Sequence, residues 1–308
     1  MNDKPLVSVL IGTRNRLQPL LQCLNSVLNQ NYTKLEILVL DDCSQEFNIC
    51  AELSAQIDDD RIKCFRSERQ LGVAGGRNYL MKKAKGDIFC IIDDDAYFED
   101  STAISRFVDI LSSDKKIGIV ACKVIDHRGN CTDLLVPFSR YWRRRIPDIT
   151  EKAQFVSYYL GTCQGIRKKV IESCGEYAED LMFGEEELDL SYRAISRGWR
   201  IYYEPQILVH HIPQPSVAGA TSRGGEELYH HVKNRFYLAF RYLPARYFIF
   251  YLTFWLTKHL LDAIKTGRMG KYFGGVVAGI RWLSKIKREP LNAEALKYLK
   301  ENFGRLSY

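Results

Sequence analysis

The first 121 residues alternate two hydrophobic patterns, and this alternation restricts the fold more than any other feature of the chain. Short, continuous apolar runs predict buried strands, whereas apolar residues spaced three and four apart predict amphipathic helices. The strand runs are Leu6–Ile11, Leu35–Leu40, Ile62–Phe65, Ile88–Ile92 and Ile117–Ala121, and the helical segments cover 17–28, about 45–57, 73–84 and 101–112. Continuously apolar strands are typical of a mostly parallel sheet with helices on both faces, which predicts an α/β fold.

The charge distribution divides the chain near residue 215. Residues 216–308 contain 16 Lys and Arg against 6 Asp and Glu, whereas residues 1–215 contain 28 against 31. We therefore predict an α/β domain over 1–215, with halves of about 1–121 and 122–215, and a basic, aromatic-rich helical region over 216–308. The uncharged run Tyr247–Thr257 is shorter than the roughly 20 residues of a membrane-spanning helix. A basic, aromatic helical region can instead lie at a membrane surface, or pack against the catalytic core or a second copy of the chain.

The cysteines and the first residues predict the compartment. The nine cysteines include no C-x-x-C pair, and several lie within apolar runs. Reduced core thiols are typical of a cytosolic protein, and the first residues lack the pattern of a secretory signal. We therefore expect a cytoplasmic protein, with peripheral attachment to the inner face of the cell membrane as the alternative.

A run of three aspartates follows the fourth predicted strand. In α/β sheets of this kind, ligands bind beyond the carboxyl ends of the strands. Asp93, Asp94 and Asp95 would repel one another there unless a cation or several donors neutralised them. Mg²⁺ and Mn²⁺ take carboxylate ligands and share them with substrate phosphates, so the run predicts a divalent metal site. A helix cap or a solvated turn is the alternative.

Other strand ends supply polar groups to the same edge of the sheet. Thr13, Arg14 and Asn15 follow the first strand, Asp42 follows the second, and Arg77 lies in the glycine-rich segment before the fourth. Asp42 is placed to accept hydrogen bonds from a base or ribose, and the arginines are placed to meet phosphate. The glycines fit neither a P-loop nor a dinucleotide fingerprint, so they indicate either phosphate contact or close helix packing.

A second acidic cluster opens the helix predicted over 186–197. Glu186 and Glu187 stand among four carboxylates in five positions, which is more than the helix dipole alone would favour. A carboxylate here could act as general base toward an acceptor hydroxyl. Downstream, His210 and His211 end an apolar strand, and one of them is a candidate metal ligand or phosphate donor while the other makes structural hydrogen bonds.

Taken in order, these motifs resemble the family 2 glycosyltransferases of the GT-A fold over about residues 5–215. The motifs are Val7-Ser8-Val9 leading into Thr13–Arg16, Leu38–Ser44, Gly72–Asn78, Gly86–Asp95, Gly161 with Arg167, Gly184–Arg193 and Gly198–His210. The resemblance implies inverting transfer from a nucleotide sugar. It assigns Asp42 to the nucleobase, Asp93 to the ribose or metal, and Asp95 to the metal as its principal ligand.

The resemblance also assigns the catalytic base and the acceptor. Glu187 matches the base position with Glu186 beside it, although a glutamate stands where the family commonly has aspartate. The segment around Arg235 is similar to rhamnosyltransferase-like members that act on lipid-linked sugars, which makes Arg235 a candidate phosphate contact. We therefore expect a nucleoside diphosphate sugar donor and a glycan or lipid-linked acceptor in cell-surface polysaccharide or glycolipid synthesis.

Two other functions fit parts of this pattern. A sugar nucleotidyltransferase also uses aspartates and magnesium, but Gly12–Arg16 does not match its glycine-rich loop after the first strand. An inactive nucleotide-sugar-binding module would usually have lost one of the two acidic clusters. Nucleic acid is not an expected partner, because no recognisable nucleic-acid-binding module accompanies the basic region.

Overall fold

A computed structural model describes residues 4–128, 131–213 and 226–306, so the predicted boundary near 215 lies outside the described residues. The described strands form one sheet. They are β1 (Val7–Thr13), β2 (Leu35–Asp41), β3 (Ile62–Arg66), β4 (Ile88–Ile92), β5 (Ala96–Phe98), β6 (Ile117–Arg128), β7 (Cys131–Leu135), β8 (Gln154–Val156), β9 (Cys163–Arg167) and β10 (Arg200–His211). The predicted strands of the first half are all present, and their bounds shift by one or two residues except at β6, which extends to Arg128.

The helices fill the intervals between the strands and form the C-terminal region. They are α1 (Leu17–Leu28), α2 (Ile49–Gln56), α3 (Gly72–Lys83), α4 (Ala103–Ser113), α5 (Arg140–Arg145), α6 (Lys168–Cys174), α7 (Glu186–Ser196), α8 (Glu226–Tyr242), α9 (Ala245–Thr266), α10 (Met269–Leu283) and α11 (Ala293–Glu301). Local signals fix some of their ends: the Asn48 side chain accepts a hydrogen bond from the Ala51 N–H at the start of α2. Among the described residues, no helix is long and apolar enough to cross a membrane.

The sheet is parallel in its first half and mixed in its second. Its order is β3-β2-β1-β4-β9-β6-β10-β5, and β1 pairs in parallel with both β2 and β4. Strand β9 lies antiparallel between β4 and β6, and β5 pairs antiparallel with β10. Because β5 starts just after the aspartate run, its pairing with β10 places Ala96 opposite His211. The end of β10 is thereby brought to the end of β4.

Each face of the sheet carries its own core. Helices α1, α2 and α4 cover one face with buried residues such as Leu24, Leu53 and Phe107. Helices α3, α6 and α7 cover the other face, and side chains of α8, α9 and α11, including Tyr242, Trp255 and Leu299, belong to the same core cluster. Side chains of α8, α9 and α11 therefore contribute to the same core as the second face of the sheet.

The cysteine pattern holds one correction to the sequence analysis. Cys50 on α2 and Cys64 on β3 form a disulfide, with their Cα atoms 5.4 Å apart, although we expected reduced thiols throughout. The bond joins a helix to a strand across the sheet surface, and a spacing of 14 residues gives no sign of that proximity. The other cysteines are free, and Cys23, Cys90, Cys122, Cys163 and Cys174 are buried, as expected for core thiols.

Candidate active site

The aspartate run lies where β4 ends, and its middle residue is a structural anchor. Asp94 is buried, and its carboxylate accepts hydrogen bonds from the Thr13 hydroxyl at 2.6 Å and from Arg16 Nη1 at 3.1 Å. Burial raises the pKa of Asp94 to about 6, while the charge of Arg16 lowers it and that of Asp95 raises it further. Asp94 and Thr13 therefore join the ends of β4 and β1, the two strands that meet at this edge.

The outer two aspartates and one histidine form a cluster that could hold a cation, called the cation cluster below. One ligand atom from each of Asp93, Asp95 and His211 lies within 4.8 Å of the other two. His211 Nε2 is 3.2 Å from Asp95 Oδ1, and its Nδ1 is 2.7 Å from Asp126 Oδ1 on the fully buried side chain of Asp126. Two carboxylates and an imidazole suit a divalent cation, and a carboxylate behind the imidazole is the usual means of orienting a histidine ligand. The residues present therefore fit the expected Mg²⁺ or Mn²⁺.

The electrostatics of this cluster favour a bound cation. Burial raises the pKa of Asp93, the positive charge of Arg77 lowers it, and the negative charge of Asp95 adds to the rise. For His211, burial lowers the pKa, but the hydrogen bonds and charges of Asp95, Asp93 and Asp126 outweigh it, so the pKa rises above its ordinary value. Burial thus disfavours the ionised Asp93 carboxylate, and a divalent cation at the cluster would stabilise it.

His210, the other candidate metal ligand, lies on the opposite side of β10. Successive side chains of a strand point to opposite faces of the sheet. His210 Nδ1 lies 2.8 Å from His127 Nε2, its ring stacks on Tyr97, and its Nε2 contacts Glu99. His210 therefore makes structural hydrogen bonds, and His211 alone of the pair joins the metal cluster.

Two arginines connect the acidic groups. Arg77 Nη1 donates to Glu187 Oε1 at 2.7 Å, while its Nη2 lies 2.8 Å from the Gly161 carbonyl and 3.4 Å from Asp93 Oδ1. Arg16 Nη1 contacts both Asp94 and Asp95, the latter at 2.9 Å. Sequence reasoning named Arg77 but not Arg16 as a site residue, although Arg16 stands in the same strand-end loop as Arg14. The arginines therefore hold positive charge beside the cluster.

The two glutamates at the start of α7 have different environments. Glu187 is paired with Arg77, and 16% of its side chain remains exposed. Glu186 is 6% exposed, and its Oε2 has no hydrogen-bond partner within the described structure. Burial, together with the charge of Glu187, raises the pKa of Glu186 to about 8. Glu186 is thus mostly neutral at pH 7, and Glu187 is the accessible carboxylate of the pair.

A glycine allows Glu187 to reach this position. A Cβ atom built on Gly161 would lie 2.1 Å from Glu187 Oε1 and 3.1 Å from Arg77 Nη2. Any larger residue would displace the carboxylate from Arg77. In the sequence, Gly161 stands out only as part of a motif, because its contact with Glu187 joins positions 26 residues apart that share no pattern.

The loop before α7 has a strained backbone that α8 holds in place. Met182 and Glu185 have positive φ angles of 61° and 69° without being glycine. The Asn234 side chain, which is fully buried on α8, donates to the carbonyls of Leu181, Phe183 and Gly184 at 3.0 to 3.1 Å. A buried amide that bonds three loop carbonyls stabilises a conformation that the loop would not adopt alone.

Arg235 belongs to the same support and is not placed as a free phosphate contact. Its side chain is buried, Nη2 lies 2.6 Å from Glu185 Oε1, and Nη1 donates to the Tyr251 hydroxyl at 2.8 Å. Burial raises the pKa of Glu185, but Arg235 and His231 outweigh it and hold that pKa at about 2. The expectation of a phosphate-binding Arg235 is therefore corrected: its guanidinium is committed to a carboxylate two positions before Glu187.

The remaining predicted binding residues shape the loops at the edge of the sheet. Asn15, at a φ of 54°, accepts a hydrogen bond from the Gln45 N–H at 2.8 Å and so ties the loop after β1 to the loop after β2. Asp42 accepts the N–H groups of Leu71 and Gly72, at 2.7 and 3.0 Å, at the start of α3. Arg14 is half-buried in the same loop as Asn15. A contact of these side chains with a nucleotide stays a prediction.

Comparison with known proteins gives consistent results. The family model described as Glycosyl transferase family 2 matches residues 8–175. An uncharacterised protein of Haemophilus influenzae is 30% identical over 183 residues, which cover 56% of this chain and 93% of that protein. The UDP-Glc:alpha-D-GlcNAc-diphosphoundecaprenol beta-1,3-glucosyltransferase WfaP of Escherichia coli is 32% identical over 110 residues, which cover 36% of this chain and less than half of the relative, 43%.

Among solved structures, the fold is similar to that of GalNAc-T7 with UDP, GalNAc and Mn²⁺. The TM-score is 0.60 at 20% identity, and the match covers 78% of this chain and 51% of that chain. At this identity the similarity concerns the arrangement of strands and helices alone.

Proposed function

Since the chain belongs to glycosyl transferase family 2 and is a glycosyltransferase of the GT-A fold, we propose that it moves a sugar from a nucleoside diphosphate sugar to a hydroxyl of a lipid-linked acceptor, with inversion and a divalent cation. One observation carries the proposal: Arg77 bridges Asp93 of the cation cluster and Glu187 of the acidic pair. An accessible carboxylate beside the cation cluster supports a catalytic base close to a bound donor.

The comparisons support the classes of donor and acceptor. The Escherichia coli relative is named for transfer from UDP-Glc to a sugar on diphosphoundecaprenol, and the GalNAc-T7 structure holds UDP with Mn²⁺. We therefore propose a uridine diphosphate sugar as the first donor to test and a polyprenyl diphosphate sugar as the first acceptor. Asp42 and the loop carrying Thr13, Arg14 and Asn15 are the proposed nucleoside contacts.

The cation site and the two arginines would stabilise the departing diphosphate. Bound by Asp93, Asp95 and His211, Mg²⁺ or Mn²⁺ would supply positive charge where negative charge develops on the leaving group. Arg16 and Arg77 lie within contact distance of these aspartates, so their guanidinium groups would add to the same field. The arginines are held by carboxylates before substrate binds, which preorganises the site.

Glu187 is the proposed general base. As the acceptor oxygen forms its bond to the anomeric carbon, its proton passes to the Glu187 carboxylate, and the bond from that carbon to the diphosphate oxygen breaks. The hydrogen bond from Arg77 orients the Glu187 carboxylate before the transfer. Glu186 has a pKa of about 8 and would be protonated at neutral pH, so it is the weaker candidate. A single displacement requires only one such base.

Product analysis tests the proposal. Purified protein is incubated with uridine diphosphate sugars, Mn²⁺ and a polyprenyl diphosphate N-acetylglucosamine acceptor, and the products are followed by chromatography and NMR. We expect release of uridine diphosphate and a β-linkage from an α-linked donor. An α-linkage would refute the inverting mechanism. If the protein is given a nucleoside triphosphate instead, release of pyrophosphate would indicate a nucleotidyltransferase. Donor binding without any transfer would indicate an inactive module.

A further inference from the structure

The exposed large hydrophobic side chains are concentrated on α9 and α10. In the described part of the chain, most side chains of this kind lie on these two helices. Those on α9 are Ile249, Phe250, Phe254, Leu261 and Ile264, and those on α10 are Phe273, Val277 and Ile280. Ile249 is 69% exposed and Phe250 is 66% exposed, values far above those of a core residue. Exposed apolar residues that are concentrated in this way usually mark an interaction site.

The apolar surface of α9 follows the geometry of a single helix face. Residues three and four apart in a helix share one side, and the inward side of α9 is occupied by Tyr251, Trp255 and His259, which are buried. Ile249, Phe250, Leu261 and Ile264 therefore project from the outward side. The inward side already completes the protein core, so the outward side is left for another surface.

Close packing on its inward side also fixes the orientation of α10. Its inward glycines allow very close packing on α8: a Cβ atom built on Gly279 would lie 2.4 Å from the Phe236 ring, and one on Gly275 would lie 2.7 Å from the Tyr229 carbonyl. This packing sets the rotation of α10. Phe273, Val277 and Ile280 are consequently held outward and cannot turn into the core. We call the outward residues of α9 and α10 the apolar face.

Basic residues accompany the apolar face. Residues 245–288 contain nine Lys and Arg, with Asp262 as their single acidic residue. Arg246, Lys258 and Lys265 lie exposed on α9, and Arg281 lies exposed on α10. Two copies of the chain stacked through this face would bring like charges together, whereas a surface of anionic lipid headgroups would complement them.

We propose that the apolar face docks on an anionic lipid bilayer, with its aliphatic and aromatic side chains in the headgroup region and its basic residues against the lipid phosphates. Interfacial helices combine a lysine- and arginine-rich border with Phe, Leu and Ile in this way. The link to a membrane-held acceptor rests on the proposed function, but the docking itself does not.

The docked face would lie close to the proposed base. On its inward side, α9 presents the Tyr251 hydroxyl to Arg235 at 2.8 Å, and Arg235 contacts Glu185 at 2.6 Å, two positions before Glu187. One buried chain of contacts therefore separates the bilayer from the loop that carries the base. A lipid-linked acceptor anchored in that bilayer would have its sugar near the level of the active site.

Vesicle binding tests the inference without donor, acceptor or metal. The full-length chain is sedimented with phosphatidylcholine vesicles that contain either no anionic lipid or a third of phosphatidylglycerol. We expect binding to the anionic vesicles that weakens at least tenfold in the triple variant I249S/F250S/L261S and at high salt. The matched control Y141S/V73S removes exposed hydrophobic residues from outside the face and should bind within twofold of the wild type.

Two further measurements make the outcomes decisive. Circular dichroism melting establishes that each variant folds, and light scattering measures the mass in solution. No binding by the wild type, or equal binding by the triple variant, overturns the inference; so does a wild-type dimer that the triple variant dissociates, because the face would then join two copies. The triple variant should transfer sugar to a water-soluble acceptor at the wild-type rate. If the wild type itself does not transfer sugar to that acceptor, the result counts against the proposed function and not against membrane docking.

Discussion

Replacing Glu187 with Gln isolates the role of its negative charge. The amide oxygen can still accept the hydrogen bond from Arg77, which also keeps Asp93 and the Gly161 carbonyl as partners. We therefore expect a stability loss of about 1–3 kcal/mol, rather than the larger loss that follows when a buried ion pair is broken outright. Loss of a general base lowers a rate by about 10²–10⁴, which at about 1.36 kcal/mol for each tenfold change raises the barrier by about 2.7–5.4 kcal/mol.

The second glutamate makes this prediction sharper. The charge of Glu187 contributes to the raised pKa of Glu186, so the Glu187→Gln change should lower that pKa and leave Glu186 more ionised at pH 7. Residual transfer by Glu187→Gln should therefore disappear in the double variant with Glu186→Gln.

The assay measures nucleoside diphosphate release at saturating donor, and donor binding is followed by the rise in Tm. We expect donor binding within a fewfold of the wild type, because neither glutamate belongs to the cation cluster. Transfer by Glu187→Gln at close to the wild-type rate would refute the reasoning. A loss confined to Glu186→Gln would move the base by one position.

Three further outcomes follow from the structure. Asp95→Asn should abolish the rise in Tm that Mn²⁺ produces, whereas His210→Gln should leave that rise unchanged, as thermal denaturation with and without Mn²⁺ would show. The pKa of Glu186 is higher in the folded state than its ordinary value, so the folded chain binds more protons than the unfolded chain between these two pKa values. The free energy of unfolding of the wild type should therefore fall as the pH rises from about 4.5 to about 8. Urea denaturation at pH 5, 7 and 9 should show a weaker pH dependence of this free energy for Glu186→Gln. Gly161→Ala should displace the Glu187 carboxylate and reduce kcat about 10²-fold in steady-state assays, with the circular dichroism spectrum unchanged.

The first half of the sheet was predictable because its signals are local. Strands such as Leu35–Asp41 and Ile88–Ile92 are mostly apolar, and their length and flanking turns separate them from helices. The insertion of β9 antiparallel between β4 and β6 was not predictable in this way. Its five residues, Cys163–Arg167, include a glycine and a glutamine, and their place in the sheet is decided by packing against strands far away in the sequence.

In the candidate site, too, the residues marked by a local sequence signal could be predicted, and those placed by contacts far apart in the sequence could not. The carboxylates at the end of β4 could be identified, since position at a strand end is itself a local signal. The choice between His210 and His211 depends on which face of β10 is turned toward Asp95, and two adjacent imidazoles cannot reveal that face. Arg235 was misjudged for a similar reason: its partner Glu185 is 50 residues away, and a basic residue in a basic region gives no sign of being buried.

The position of Asn234 and Arg235 changes what the C-terminal region means for catalysis. The charge distribution predicts an α/β domain over 1–215 and a basic helical region over 216–308. In the structure, however, α8 holds the strained loop that presents Glu186 and Glu187, and α9 and α11 fill the core beneath α7. A chain ending near 215 would lose the support of the base as well as part of the core. Loss of transfer on truncation would therefore say nothing about membrane binding. Surface substitutions on the apolar face, which leave these contacts in place, are the change that separates docking from catalysis.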